Sequence, residues 1–255
     1  MPSSCGRLFL LAQLAGISAR AQVWRGNSTA PRQVHLALTE APDGMLVSWT
    51  TGTPIWAPPA PADGPNATSP AVRFGLSPGA RTLQASSSYS LMYAGVGDIT
   101  HRVNLTGLAP RTRYYYVVGD LELDQWSAEF SFLSRPAVDS AATLDMIAYG
   151  DMGYWNGSSV IVQAAIAADI ASGARDYALV THIGDISYSG LESGSDHVKD
   201  TQLWDLFMDE IEPISANAAY MVAPGNHGER AAGLRCSSDA AAAARARACA
   251  APRLD

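Results

Sequence analysis

Tyr177-Ala-Leu-Val-Thr-His-Ile183, running straight into Gly184-Asp185-Ile-Ser-Tyr188, decides how this chain is read. An apolar run of strand length that breaks at a glycine and at once presents an acid is what a parallel strand delivering a ligand group looks like. The glycine permits a sharp turn, and the next side chain is aimed into the crevice beyond the strand's carboxyl end. The pattern recurs on both sides. Upstream, Leu144-Asp-Met-Ile-Ala-Tyr149 runs into Gly150-Asp151-Met-Gly153; downstream, Ala219-Tyr-Met-Val-Ala223 runs into Pro224-Gly225-Asn226-His227. Asp151, Asp185 and Asn226 therefore stand at three strand ends. With neighbouring strands roughly 4.8 Å apart, their oxygens can share a pair of metal ions, and oxygen donors suit hard cations. Tyr188 narrows the choice, because a phenol with a pKa of about 10 binds as phenolate only to a strongly acidic ion such as Fe(III).

The ordered series G-D-x-G, G-D-x-x-Y, G-N-H resembles the purple acid phosphatases, a branch of the metallophosphoesterases. The wording between the motifs is similar too: His182-Ile-Gly-Asp-Ile-Ser-Tyr188, Trp204-Asp-Leu-Phe-Met-Asp-Glu-Ile-Glu-Pro213 and Tyr220-Met-Val222. The resemblance implies an acid phosphatase that hydrolyses phosphate monoesters at a dinuclear centre of Fe(III) plus a divalent Fe, Zn or Mn. By resemblance Asp151 ligates the ferric ion, Asp185 bridges both metals, Tyr188 is the ferric phenolate and Asn226 holds the divalent ion. His227 then contacts the substrate, as proton donor to the leaving group or as a positive charge near phosphate, a role that imidazole's pKa suits. Plainer readings stand beside these: the carboxylates as helix caps and Tyr188 as an aromatic wall. His182 precedes a Gly-Asp pair on a strand and is expected to support the site or the core. His35, His101 and His197 carry no motif and read as surface or structural residues.

Ahead of this region lies a stretch of strands: Val34–Thr39, Met45–Thr50, Ala71–Phe74, His101–Thr106, Tyr114–Val118 and Phe130–Leu133, rich in β-branched and aromatic residues. Turn signals at Pro42-Asp-Gly44, Ser77-Pro-Gly79 and Ala109-Pro110 separate them, and short punctuated strands without a helical stretch indicate an antiparallel sandwich. Trp49 is expected in its core. Strand order and Trp49 resemble the fibronectin type III-like domain that precedes the catalytic domain in larger purple acid phosphatases. The fold expected is multi-domain: a fibronectin III-like β-sandwich over residues 31–134, then an incomplete α/β metallophosphoesterase domain over 143–230. Residues 53–70 read as an exposed loop and 135–142 as a linker. Crossover helices are expected over 158–172, and over 199–211, where Leu203, Phe207 and Ile211 recur every four residues.

Residues 1–21, with Arg7, an apolar segment from Leu8 to Ile17 and Ala19-Arg20-Ala21, have the pattern of a signal peptide. Sequons at Asn27, Asn66, Asn104 and Asn156 fit a glycosylated protein that is secreted or held in a vacuole or lysosome. No later segment has the length of a membrane span. A net charge of −7 without a basic run argues against nucleic acid or anionic membrane as partner. The expected partner is a phosphomonoester substrate, with a homodimer left open. Cys236 and Cys249 define no disulfide framework.

Two departures from the resemblance matter. Gly228 intervenes between the Gly-Asn-His motif and Glu229, and residues 228–255, whose alanine-rich part from Ala231 reads as a low-complexity tail, contain no histidine. The family takes further histidine ligands from motifs after this point, so the chain as written is expected to be inactive. Two other readings stay open: a secreted, non-catalytic binding module with a decayed phosphatase half, and a metallophosphodiesterase, disfavoured by Tyr188.

Overall fold

The computed structural model describes residues 29–52, 69–87, 89–92, 98–154, 157–188 and 197–225. The segments read as signal peptide and low-complexity tail, most of the expected 53–70 loop, Asn27, Asn66, Asn156, Asn226, His227 and both distal cysteines lie outside the described residues.

Among the described residues nine strands precede residue 135. β1 (Arg32–Leu38), β2 (Met45–Gly52), β6 (Asp98–Leu105) and β5 (Tyr89–Met92) form one antiparallel sheet in the order β1-β2-β6-β5. β4 (Leu83–Ser86), β3 (Pro70–Gly75), β7 (Arg113–Asp120) and β8 (Gln125–Trp126) form the other, with β9 (Phe130–Leu133) also on β7. Alternation sets the inward faces. Along β2, Met45, Val47, Trp49 and Thr51 are buried while their neighbours are not, the period-two pattern of a strand with one face on a core. Trp49 is 1% exposed, as expected of a core residue. Tyr114 stacks on Phe132 at 5.6 Å, and its hydroxyl accepts from the Ala109 N–H at 2.8 Å, fixing the turn into β7.

Sequence reading missed β4, β5 and β8. β4 is exposed almost throughout and β8 has two residues, so neither has an apolar face to betray it. His101 is not a surface residue: it is fully buried, with Nε2 at 2.8 Å from Thr51 Oγ1 and Nδ1 at 2.8 Å from Ser90 Oγ. Burial pushes its pKa down to about 4. Asn104 is exposed on β6.

After residue 144 come β10 (Asp145–Gly150), α1 (Gly157–Ser172), β11 (Tyr177–Ile183), α2 (His197–Ser215) and β12 (Ala219–Ala223), the strands pairing in parallel in chain order. Both crossovers are helical, as expected. α2 buries Phe207, Ile211 and Ile214 against Val180 and Tyr220, and Ile166 and Ile170 of α1 join the same cluster, so both helices cover one face of the sheet. On the other face Met146 and Ile183 stand exposed at 47% and 59%, while Leu179 and Ala219 pack into the core of the sandwich.

The two parts are thus bolted together rather than strung on a linker. The Tyr116 hydroxyl donates to Ala216 O at 2.7 Å, the Ser215 hydroxyl to Val34 O at 2.8 Å, and the Val34 N–H to Glu212 Oε1 at 3.0 Å. Arg32, 3% exposed, donates to Asp209 Oδ1 at 3.1 Å and faces Asp205 at 3.8 Å. Beside it Gln33, held at φ 56°, donates to Asp205 O at 3.2 Å. No described helix is long and apolar enough to cross a membrane.

Candidate functional site

The turn after β10 holds Asp151 at φ 53° and Gly153 at φ 64°; the turn after β11 holds Gly184 at φ 100° and Tyr188 at φ 56°. A left-handed backbone costs a non-glycine residue free energy, most for a bulky one, and such residues cluster where function requires an aimed side chain. Asp151 and Tyr188 are aimed at each other, the phenol donating to Asp151 Oδ1 at 3.3 Å. The two turns are also tied together by the Gly153 N–H, which donates to Ile186 O at 2.8 Å.

The glycines here are needed for space. A Cβ on Gly184 would lie 3.2 Å from the Asp151 carboxylate. A Cβ on Gly225 would lie 2.2 Å from Asp185 Oδ1 and 2.4 Å from the Asp185 nitrogen, so the turn after β12 passes directly over Asp185. Three strand tips therefore converge: Asp151 is exposed, Asp185 is 4% exposed, and Tyr188 is half-buried beside them. Burial first, and then the Asp151 and Asp185 charges, push the Tyr188 phenol above its ordinary pKa.

Two carboxylates and a phenol around a turn that leaves no room for a Cβ fit a hard, highly charged cation. Among the described residues no group of three or more His, Cys, Asp or Glu side chains gathers as for a metal. What gathers is this oxygen set. Asn226 and His227, which follow Gly225, are outside the described residues.

His182 lies beneath the oxygen set, on the helix-covered face of the sheet. It is fully buried, with Nδ1 at 2.8 Å from the Tyr220 hydroxyl and Nε2 at 3.2 Å from Asp185 O and 3.4 Å from Met152 N. Behind it, the Tyr149 and Tyr220 hydroxyls are 2.6 Å apart. Sequence reading missed Tyr149, Tyr220 and Gln163, whose amide reaches Gly153 O at 3.4 Å. It also missed that His35, across the junction on β1, bonds Tyr220 O at 2.9 Å. Aromatic residues inside strands read as core, and only the pairing of β10, β11 and β12 shows that Tyr149, His182 and Tyr220 share a face.

The chain is a β-sandwich followed by a three-stranded parallel sheet with oxygen donors collected beyond its carboxyl ends, the place where open α/β sheets bind ligands. Residues 31–134 match the family model of the purple acid phosphatase N-terminal domain, and the purple acid phosphatase resemblance read from the motifs holds for the chain. Human acid phosphatase type 7 is 34% identical over 210 residues, 80% of this chain and 41% of that protein. Purple acid phosphatase 23 of Arabidopsis thaliana is 29% identical, covering 79% of this chain and 48% of the relative, and the same plant's probable inactive purple acid phosphatase 1 is also 29% identical. The purple acid phosphatase PPD1 of yellow lupin superposes with a TM-score of 0.60 at 26% identity, over 78% of this chain and 35% of that one. The chain thus spans less than half the length of these relatives.

Proposed function

We propose that the chain carries the ferric side of a dinuclear centre that hydrolyses phosphate monoesters under acidic conditions. The observation that carries this is the 3.3 Å approach of the Tyr188 phenol to Asp151, with both residues held in the left-handed region. Asp151, Asp185 and Tyr188 would hold Fe(III), with Asn226 and Asp185 supporting a divalent Fe, Zn or Mn and His227 meeting the substrate. Bound there, a metal pair supplies Lewis acidity toward a phosphoryl group and lowers the pKa of water. The chain's own residues do the orienting. The Gly153 to Ile186 hydrogen bond sets the distance between the two acid-bearing turns, and the turn at Gly225 shields Asp185 from bulk water.

The three described oxygen donors are few for a metal pair, and turnover by this chain alone is expected to be more than tenfold below that of a full-length relative. Some relatives are themselves named probable inactive, which favours, as a second reading, a non-catalytic module on the same scaffold. Residues 22–255, freed of adventitious metal, are to be loaded with iron together with zinc or manganese. A visible tyrosinate-to-iron band that Tyr188→Phe abolishes supports the site, and hydrolysis of a chromogenic phosphomonoester at mildly acidic pH reads activity. A band that survives Tyr188→Phe removes the assignment. The sequons and the leader support a secretory route; a glycosidase-sensitive mass at Asn104 in the exported protein tests it.

A further inference from the structure

Tyr149, Tyr220 and His182 sit on the helix-covered face of the three parallel strands, and their polar atoms form an unbroken line. Tyr149 and Tyr220 hydroxyls are 2.6 Å apart, Tyr220 Oη and His182 Nδ1 2.8 Å, and His182 Nε2 and Asp185 O 3.2 Å. A neutral imidazole has one N–H and one lone pair, and the partner of one nitrogen decides which the other carries. Two wirings are available. In one, Tyr149 donates to Tyr220, Tyr220 donates to Nδ1, and the Nε2–H donates to the Asp185 carbonyl. In the other, Nδ1–H donates to Tyr220, Tyr220 donates to Tyr149, and Nε2 accepts from the Met152 N–H at 3.4 Å. The shorter contact selects the first. Tyr220 is itself fixed from outside the sheet, since His35 Nε2 donates to its carbonyl and the two rings meet edge-on at 5.4 Å.

We propose that His182 is a positioning residue for the candidate metal site. With Nδ1 held by the Tyr220 hydroxyl, its Nε2–H pins the backbone of Asp185 and with it the turn from Gly184 to Tyr188. Asp185 needs such a pin. It lies in a turn entered through Gly184, where glycine allows a φ of 100°, and left through Tyr188 at φ 56°, a conformation that a bulky residue keeps only where its surroundings over-determine it. Outer partners of this kind are worth about 10-fold or more in metal affinity. The metal consequence rests on the reading of Asp185 as a ligand; the pinning of the turn does not.

The test uses the full chain. In the metal-free protein, ¹⁵N shifts of the His182 ring should show Nε2–H as the major tautomer, and Tyr220→Phe should leave a tautomer mixture. Amide exchange at Gly153, whose N–H bonds Ile186 O within the pinned turn, should quicken about tenfold or more in Tyr220→Phe and in His182→Phe, against unchanged exchange in β2. His182→Gln, which can keep a donor at the Nε2 position, should restore most of the protection. With ferric citrate as probe, Tyr220→Phe should bind iron about tenfold more weakly. An Nδ1–H tautomer, or Gly153 exchange unaltered in both Tyr220→Phe and His182→Phe, overturns the proposal. If the turn loosens as expected but the parent chain gives no iron band, the pin stands and the metal reading fails.

Discussion

Glu210 shows how much a single side chain in α2 can couple the protein to pH. Its Oε2 is buried without a hydrogen-bond partner, and desolvation raises its pKa to about 7 from an ordinary 4.5. The folded chain therefore holds that proton more tightly than the unfolded chain does. Stability from this group is full below about pH 4.5, falls as pH rises from there to about 7, and stays low above. Glu210→Gln should flatten this slope, so that urea midpoints measured at pH 5 and pH 7.5 differ less than in the parent. At the strand tips Gly225→Ala is expected to be severe, because its Cβ would fall on backbone as well as on Asp185 Oδ1. Iron binding should be lost while the tryptophan fluorescence of Trp49 reports an intact sandwich. That Asp151, Asp185 and Tyr188 follow strand ends was legible in sequence because glycine spacing betrays a strand tip. His35 and His101 were not, since burial by a distant segment leaves no local mark on a histidine.

At the scale of elements, β1 is the piece whose role sequence understates. Its alternation announces a sandwich strand, and it is one, but it also faces α2 and β12. Arg32 opposes the cost of burying two acids on α2: desolvation raises the pKa of Asp205 and of Asp209, and the Arg32 charge pulls each back down. Arg32→Ala leaves two buried carboxylates without their cation and should cost about 3 kcal/mol in chemical denaturation. Arg32→Lys should recover only part, since an ammonium cannot fork toward two acids. The helices were legible from their apolar spacing and the parallel strands from their runs. The partnership of β1 with α2 was not, because a strand's polar residues look alike whether they meet water or a neighbouring helix.

Over the whole molecule the sandwich core takes in Ala216 and Ala219, which lie beyond α2. Hydrophobic burial that crosses a boundary makes its two sides fold cooperatively. Fluorescence from Trp49 in the sandwich and from Trp204 on α2 should therefore report one urea transition with coincident midpoints. Midpoints well apart would show two independent units and remove the shared core as a stabilising feature. Residues 135–142 read in sequence as a linker, and at its start Arg135 reaches back to Thr39 O at 3.0 Å while its own carbonyl accepts from the Arg111 N–H at 2.9 Å.

That clamping has a kinematic consequence. Among the described residues, strands whose tips carry Asp151 and Asp185 are tied to the sandwich behind them, so the candidate site stands on a fixed floor. Any rearrangement at the tips would then fall to side chains and to the turns beyond the sheet, while the strands beneath keep their seat on the sandwich.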